Sequence, residues 1–128
     1  MGDRTMLQFD YEEVHGQTVT KVLGRRDRPA GWESIALIVE DRAVVLRVDP
    51  DTDELIVTLE DASHLASHRA EVEELSEFVG SALGWCWIGR NYRGYLDMFT
   101  LSFSGIEPQI CFVGEASMLT IRHIRAER

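Results

Sequence analysis

The sequence predicts an α+β domain with a largely antiparallel, curled β-sheet of about seven to eight strands and one amphipathic helix. Three observations lead to this prediction. Short apolar runs separated by turn residues fill most of the 128 residues, one segment carries apolar residues at helical spacing, and the apolar runs resume after it. Strands on both sides of one helix are typical of α+β domains. The length fits a single domain over 1–128, in which we expect residues 1–18 to be flexible or peripheral.

The first half of the chain contains four predicted strands. Four residues join the second to the third as a hairpin, and the acidic turn at 49–53 joins the third to the fourth. Three antiparallel strands should therefore follow one another along the chain. The four strands span residues 19–23, 35–39, 44–48 and 55–59.

Residues 63–79 carry the helical signal. Leu65, Val72, Leu75 and Val79 recur at helical spacing, whereas the glutamates of this segment lie mainly outside that stripe. A glycine follows, as is common at the end of a helix. One amphipathic helix is predicted here.

Strands resume in the second half, where Gly- and Ser-containing turns separate the apolar runs. The four predicted strands span residues 85–88, 95–103, 110–113 and 118–124.

The formal net charge of −9 restricts the choice of partners. Binding to nucleic acid depends on clustered Lys and Arg, so we expect no nucleic-acid ligand. An acidic surface favours a basic protein as partner. The N-terminus lacks the basic start and apolar run of a signal peptide, and no segment has the length needed to cross a bilayer, so we expect a cytoplasmic protein that does not bind membranes.

Two patterns raise the question of a metal. The acidic turn at 49–53, together with Glu60, has the spacing of a calcium loop, but Glu54 stands where a glycine is required and the flanks resemble strands. His64 and His68 are four residues apart, but no third histidine is close and no HExxH motif occurs. We predict no metal site and no cofactor.

No local signature of catalysis is present. The chain has no GxSxG motif, and its glycines do not form a phosphate-binding loop. Cys86 and Cys111 lie in apolar runs without CxxC spacing, which indicates buried, reduced and inert thiols. We therefore predict no catalytic residue, and the sequence favours a protein that is not an enzyme.

Asp97 is the most informative single residue. If residues 95–103 form a strand, Asp97 shares one side with Phe99 and other apolar residues, and a carboxylate there needs a partner. It either accepts backbone N–H groups or pairs with a nearby arginine, or it belongs to a polar pocket among aromatic residues. The candidate ligand-binding or partner-binding residues are Asp97, Asn91, Arg90, Arg93, Trp85 and Trp87.

Three segments resemble a family of small uncharacterised bacterial proteins, a domain of unknown function. They are DPDTDEL at 49–55, LGWCWIGRNYRGYLD at 83–97 and GEAS at 114–117. The resemblance covers most of the chain from about residue 19 onward. It implies a compact bacterial cytoplasmic domain and no established activity, so it transfers no catalytic residue.

Two function classes follow. The first is a non-enzymatic interaction protein with an acidic surface for a basic partner, similar in size and charge to immunity proteins of bacterial toxin systems. The second is a small-molecule-binding protein or enzyme that uses Asp97 in an aromatic-lined pocket. Because a strand series leaves edge strands, we also expect either a homodimer or edges blunted by charges such as Arg47, Arg122 and Arg125.

Overall fold

The computed structural model describes residues 7–26, 31–68 and 70–124. Nine strands lie within this part of the chain. Eight of them overlap the eight predicted strands, and the additional strand, β5, is only two residues long. The strands are β1 (Val19–Arg25), β2 (Ser34–Val39), β3 (Arg42–Val48), β4 (Leu55–Asp61), β5 (Ala70–Glu71), β6 (Leu83–Arg90), β7 (Leu96–Phe103), β8 (Ile110–Glu115) and β9 (Met118–His123).

The strands form two antiparallel sheets. The first has the order β4-β3-β2-β1-β5, and the second has the order β6-β7-β8-β9. Single bridges between Thr18 and Ala82 and between Trp32 and Leu119 join the sheets. Each sheet is a series of hairpins, except that β5 returns to pair with β1.

The main core lies between the two sheets. Alternate residues of each strand point into it, as the two-residue period of a strand requires. Ile35, Leu37 and Leu46 come from the first sheet, while Phe99 and Phe112 come from the second, and all five are fully buried. One apolar cluster thus holds the sheets face to face.

The predicted α+β class is wrong, because the described residues contain no α-helix. The segment predicted as a helix, 63–79, forms instead the end of a short 3₁₀ helix (Ala62–His64), strand β5 and a second short 3₁₀ helix (Glu73–Phe78). A further 3₁₀ helix spans Tyr11–Glu13. The protein is mostly β-sheet, in two sheets rather than one curled sheet.

The apolar residues of the 63–79 segment pack into two separate cores, which explains why the predicted helix does not form. Leu65 packs with Ala36 and Val45 on the outer face of the first sheet. Val72 and Leu75 pack into the core between the sheets. A single straight helix cannot bury one stripe in two places on opposite faces of a sheet, so the chain extends and passes around the edge of β1.

No helix in the described ranges is long and apolar enough to cross a membrane.

Candidate functional site

Asn91 closes the turn between β6 and β7. Its side-chain oxygen Oδ1 accepts hydrogen bonds from the backbone N–H groups of Arg93 (2.9 Å) and Tyr95 (3.2 Å). Its own N–H donates to the carbonyl oxygen of Tyr95 at 3.0 Å. Asn is favoured in such turns because its short side chain replaces a backbone acceptor. This bonding accounts for Asn91 without a ligand.

The two arginines of this hairpin lie at its exposed end. The Arg93 guanidinium carbon is 5.8 Å from the ring centroid of Tyr92, and its Nε donates to the Tyr92 hydroxyl at 3.3 Å. Arg90, the last residue of β6, is also exposed. Both residues are therefore exposed at this end of the hairpin.

Asp97 lies at a β-bulge, which changes the face that it occupies. Gly89 is opposite Met98, but the next residue, Arg90, is opposite Leu96, so Asp97 is the extra residue. The inward positions are consequently Leu96 and Phe99, three residues apart, and both are buried. Asp97 is half-exposed and forms no ion pair within the described part of the chain. It does not stand in the apolar row where strict alternation places it.

The two tryptophans of β6 lie away from the core. Trp87 is opposite Thr100, on the outer face of the second sheet, because the neighbouring Phe99 and Leu101 point inward. Trp85 is 55% exposed, and its backbone N–H donates to the Ser102 hydroxyl oxygen at 2.7 Å. Large exposed aromatic side chains of this kind are typical of interaction surfaces.

Trp85 also lines a cleft between the first 3₁₀ helix and β6. The cleft has a volume of about 360 Å³ and is lined by Tyr11, Glu12, His15, Trp85 and Cys86. The Tyr11 hydroxyl donates to the carbonyl oxygen of Gly84 at 2.9 Å, which fixes the helix against the strand. Of the six candidate residues, Trp85 is the one that lines this cleft, and the binding role of the six stays a prediction.

Burial favours the neutral forms of two groups that line this cleft, the Cys86 thiol and the Tyr11 hydroxyl. Burial raises the pKa of the Cys86 thiol to about 11. Burial, and then the charges of Cys86 and Glu12, raise the pKa of the Tyr11 hydroxyl. A thiol with a raised pKa is a poor nucleophile, because the thiolate is the reactive form. The cleft is suited to binding through Glu12 and the aromatic rings rather than to thiol chemistry.

A second surface is formed by β5 and the 3₁₀ helix that follows it. Val72, Leu75 and Phe78 point into the core, which turns the residues before and between them toward solvent. Four of these residues are glutamates, and all four are exposed. We call this surface the acidic segment; its glutamates are Glu71, Glu73, Glu74 and Glu77.

An arginine and a tryptophan lie beside the acidic segment. The Arg26 guanidinium carbon is 3.9 Å from the centroid of the Trp32 ring, a cation–π contact. Arg26 and Trp32 line a cleft of about 330 Å³ together with Ala70, Glu71, Glu73 and Glu74. Trp32 itself is buried, so the exposed carboxylates are the groups of this cleft that a cation from outside can reach.

His64 and His68 are separated by the turn that follows the 3₁₀ helix. His64 is exposed, whereas His68 is buried and its Nε2 lies 2.8 Å from the Ser34 hydroxyl. Burial and the charge of Arg25 lower the pKa of His68, with Arg47 acting in the same direction and Glu60 against it. Two histidines four residues apart share a face on a helix, but this helix ends at His64, and the two side chains lie in different surroundings.

Some of these features cannot be predicted from the sequence. The cleft near Tyr11 needs contact between residues more than 70 positions apart, and nothing local in the sequence indicates that contact. The acidic segment carries a signal in the sequence, because its glutamates lie mainly outside the apolar stripe. The helix predicted around them is wrong, but the glutamates are exposed, as their position outside the stripe indicates.

The fold and these surfaces define a class: a small, two-sheet β domain with an acidic segment and an exposed, tryptophan-bearing edge strand. The chain belongs to the family described as "Family of unknown function (DUF6334)", whose model matches residues 1–128. This confirms the resemblance to a domain of unknown function. Searches of curated proteins and of solved structures each found no match.

Proposed function

We propose that this chain is a non-enzymatic, cytoplasmic bacterial interaction protein that binds a basic protein partner through the acidic segment. The observation that carries the proposal is the cleft beside Trp32. There the exposed residues Glu71, Glu73 and Glu74 line one cleft with the chain's own Arg26, whose guanidinium lies over the buried Trp32 ring. A basic side chain of a partner would meet the carboxylates at this surface.

Charge and geometry both support this role. The net charge of −9 steers a basic partner toward the protein, and complementary charge raises the association rate. The four glutamates are exposed, so a partner can reach their side chains directly. Arginine is the expected anchor, because its planar guanidinium donates several hydrogen bonds in a geometry that matches a carboxylate.

Titration calorimetry with an arginine-rich peptide as the probe tests the proposal. One variant carries Glu71→Gln, Glu73→Gln, Glu74→Gln and Glu77→Gln. The matched control removes the same charge elsewhere, with Glu40→Gln, Asp41→Asn, Asp51→Asn and Glu107→Gln, which are all exposed. We expect the first variant to lose at least about tenfold in affinity and the control to lose much less.

Equal losses in both variants would show that only net charge attracts the peptide, and the proposal would fail. A lysine-rich peptide of the same length adds a second comparison. Because a guanidinium can donate two parallel hydrogen bonds to one carboxylate, the arginine-rich peptide should bind more tightly than the lysine-rich one.

A further inference from the structure

Among the described residues, only part of the outer edge of β6 is covered by other backbone. At the start of the strand the edge is covered, since the Gly16 N–H donates to the Leu83 carbonyl oxygen at 2.8 Å and the Tyr11 hydroxyl donates to Gly84. From residue 86 to residue 89, none of the backbone hydrogen bonds between described residues comes from outside the sheet. An edge of this kind is a template for pairing with another strand.

The other sheet edges are shorter or are partly covered. The β4 edge accepts a hydrogen bond at the Val57 carbonyl oxygen from Gln8, and the Leu119 N–H of β9 donates to the Trp32 carbonyl oxygen. Strand β5 has only two residues. Strand β6 differs from β4 and β9 less in how far its edge is covered than in the composition of its uncovered stretch.

The composition of this edge is unlike that of the rest of the chain. Residues 83–93 contain two arginines and no carboxylate, although the whole chain has a net charge of −9. Trp85 and Ile88 are 55% and 38% exposed. Exposed apolar side chains along a bare edge are the opposite of the charges that keep solvent-facing edges apart.

We propose that β6 pairs antiparallel with β6 of a second copy, about a two-fold axis at Ile88. The pairing joins the two four-stranded sheets into one continuous sheet across the dimer. The proposal concerns a different surface from the acidic segment, so neither depends on the other.

The residues of β6 complement one another in this register. Ile88 meets Ile88 of the partner subunit at the axis, which covers an exposed apolar side chain. Trp87 lies opposite Gly89 of the partner subunit, where no side chain obstructs the indole. Cys86 lies opposite Arg90 of the partner subunit, so no two like charges face each other.

The cleft near Tyr11 provides the charge complement. Opposed residues of an antiparallel pair lie on the same face of the sheet, so Arg90 of the partner subunit is brought beside Cys86. Cys86 lines the cleft together with Glu12 and Trp85. The arginine can pair with the Glu12 carboxylate and stack on the Trp85 indole, and symmetry repeats the contact on the other side.

Sedimentation velocity of the full chain at high micromolar concentration tests the dimer. We expect a dimer for the wild type and monomers for Arg90→Glu and for Glu12→Arg, because each places like charges together. The double variant with both changes restores opposite charges and should restore the dimer. Glu40→Arg, at an exposed turn far from β6 in sequence, is the control for charge reversal.

Ile88→Lys provides a second test of the dimer. It places two ammonium groups together at the two-fold axis, so we expect this variant to be monomeric. Ile124→Lys is its control, because Ile124 is similarly exposed at 41% but lies outside β6. A monomeric wild type, or a double variant that stays monomeric while folded by circular dichroism, overturns the proposal. If Ile88→Lys does not fold, the charge-exchange variants alone decide.

Discussion

The Asp53 carboxylate accepts a 2.7 Å hydrogen bond from the backbone N–H of Ser117, 64 positions further along the chain. The Ser117 hydroxyl donates in turn to the carbonyl oxygen of Pro50 at 3.2 Å. These bonds tie the turn between β3 and β4, in the first sheet, to the turn between β8 and β9, in the second. The acidic turn that resembled a calcium loop thus serves to hold two hairpin ends together.

Asp53→Ala should lower the free energy of unfolding by about 1–2 kcal/mol, because it leaves the Ser117 N–H without this acceptor. Alanine is also less suited than Asp to the positive φ of 62° at this position. Asp53→Asn keeps an acceptor oxygen and tolerates that conformation, so we expect a smaller loss. Urea denaturation of both variants measures the difference, and an equal loss would contradict the role of the hydrogen bond.

His68 should make stability depend on pH. Its ordinary pKa is 6.5, and its folded pKa is lower because of burial and the charge of Arg25. Between the folded and unfolded pKa values the unfolded chain binds more protons, so stability falls as the pH drops below about 6.5 and the loss levels off below the folded pKa. Above the unfolded pKa the stabilising contribution is complete.

His68→Gln removes this titration. Urea midpoints at about pH 7.5 and about pH 5.5 should differ less in the variant than in the wild type, because both proteins share every other titrating group. The comparison concerns the change with pH and not the absolute stability, which the loss of the hydrogen bond to Ser34 also affects. An unchanged pH dependence would contradict the assignment.

Asp97→Asn should change the free energy of unfolding by less than about 0.5 kcal/mol, since the residue is half-exposed at a bulge. Asn91→Ala is the comparison in the same hairpin. It removes the acceptor of two backbone N–H groups and should cost about 1 kcal/mol. A loss above about 1 kcal/mol for Asp97→Asn would restore the interpretation of Asp97 as a structural acceptor.

Gly84→Ala should destabilise the protein by about 2 kcal/mol or more. A Cβ atom at this position would overlap the Ser102 hydroxyl and the carbonyl oxygen of Gly105, which bond to each other at 2.6 Å. Gly105→Ala is the control, because a Cβ there meets nothing within 4 Å. Thermal unfolding of the two variants provides the test, and similar losses would argue against a close contact at Gly84.

Most strands could be predicted from the sequence because each has a local pattern. β2 and β3 are apolar runs joined by a short turn, predicted at four residues and observed at two, and such runs form strands in almost any setting. The helix over 63–79 could not be excluded in this way, since Leu65 and Leu75 fit one stripe in sequence and separate only in three dimensions. Whether the two leucines pack in one core or in two depends on how the sheets are arranged, and the sequence of one segment does not specify that arrangement.

The candidate residues around Asp97 show a related limit. Alternation along β7 predicts an inward Asp97, but the bulge opposite Gly89 and Arg90 shifts the face by one residue. A bulge depends on the pairing of two strands and has no reliable signal in either strand alone. By contrast, the turn at Asn91 was predictable, because Asn and Gly determine turns through their own short-range preferences.

The chain completes the first sheet with β1–β5 before it begins the second with β6–β9, and this order affects when the contacts between the sheets form during folding. Apart from the return of β5 to β1, every strand pairs with its neighbour in sequence, so each hairpin can close over a short loop in microseconds. Docking of the two sheets involves far larger separations and should come later. The bond between Asp53 and Ser117 then belongs to the late stage, and its removal should accelerate unfolding while leaving the folding rate almost unchanged.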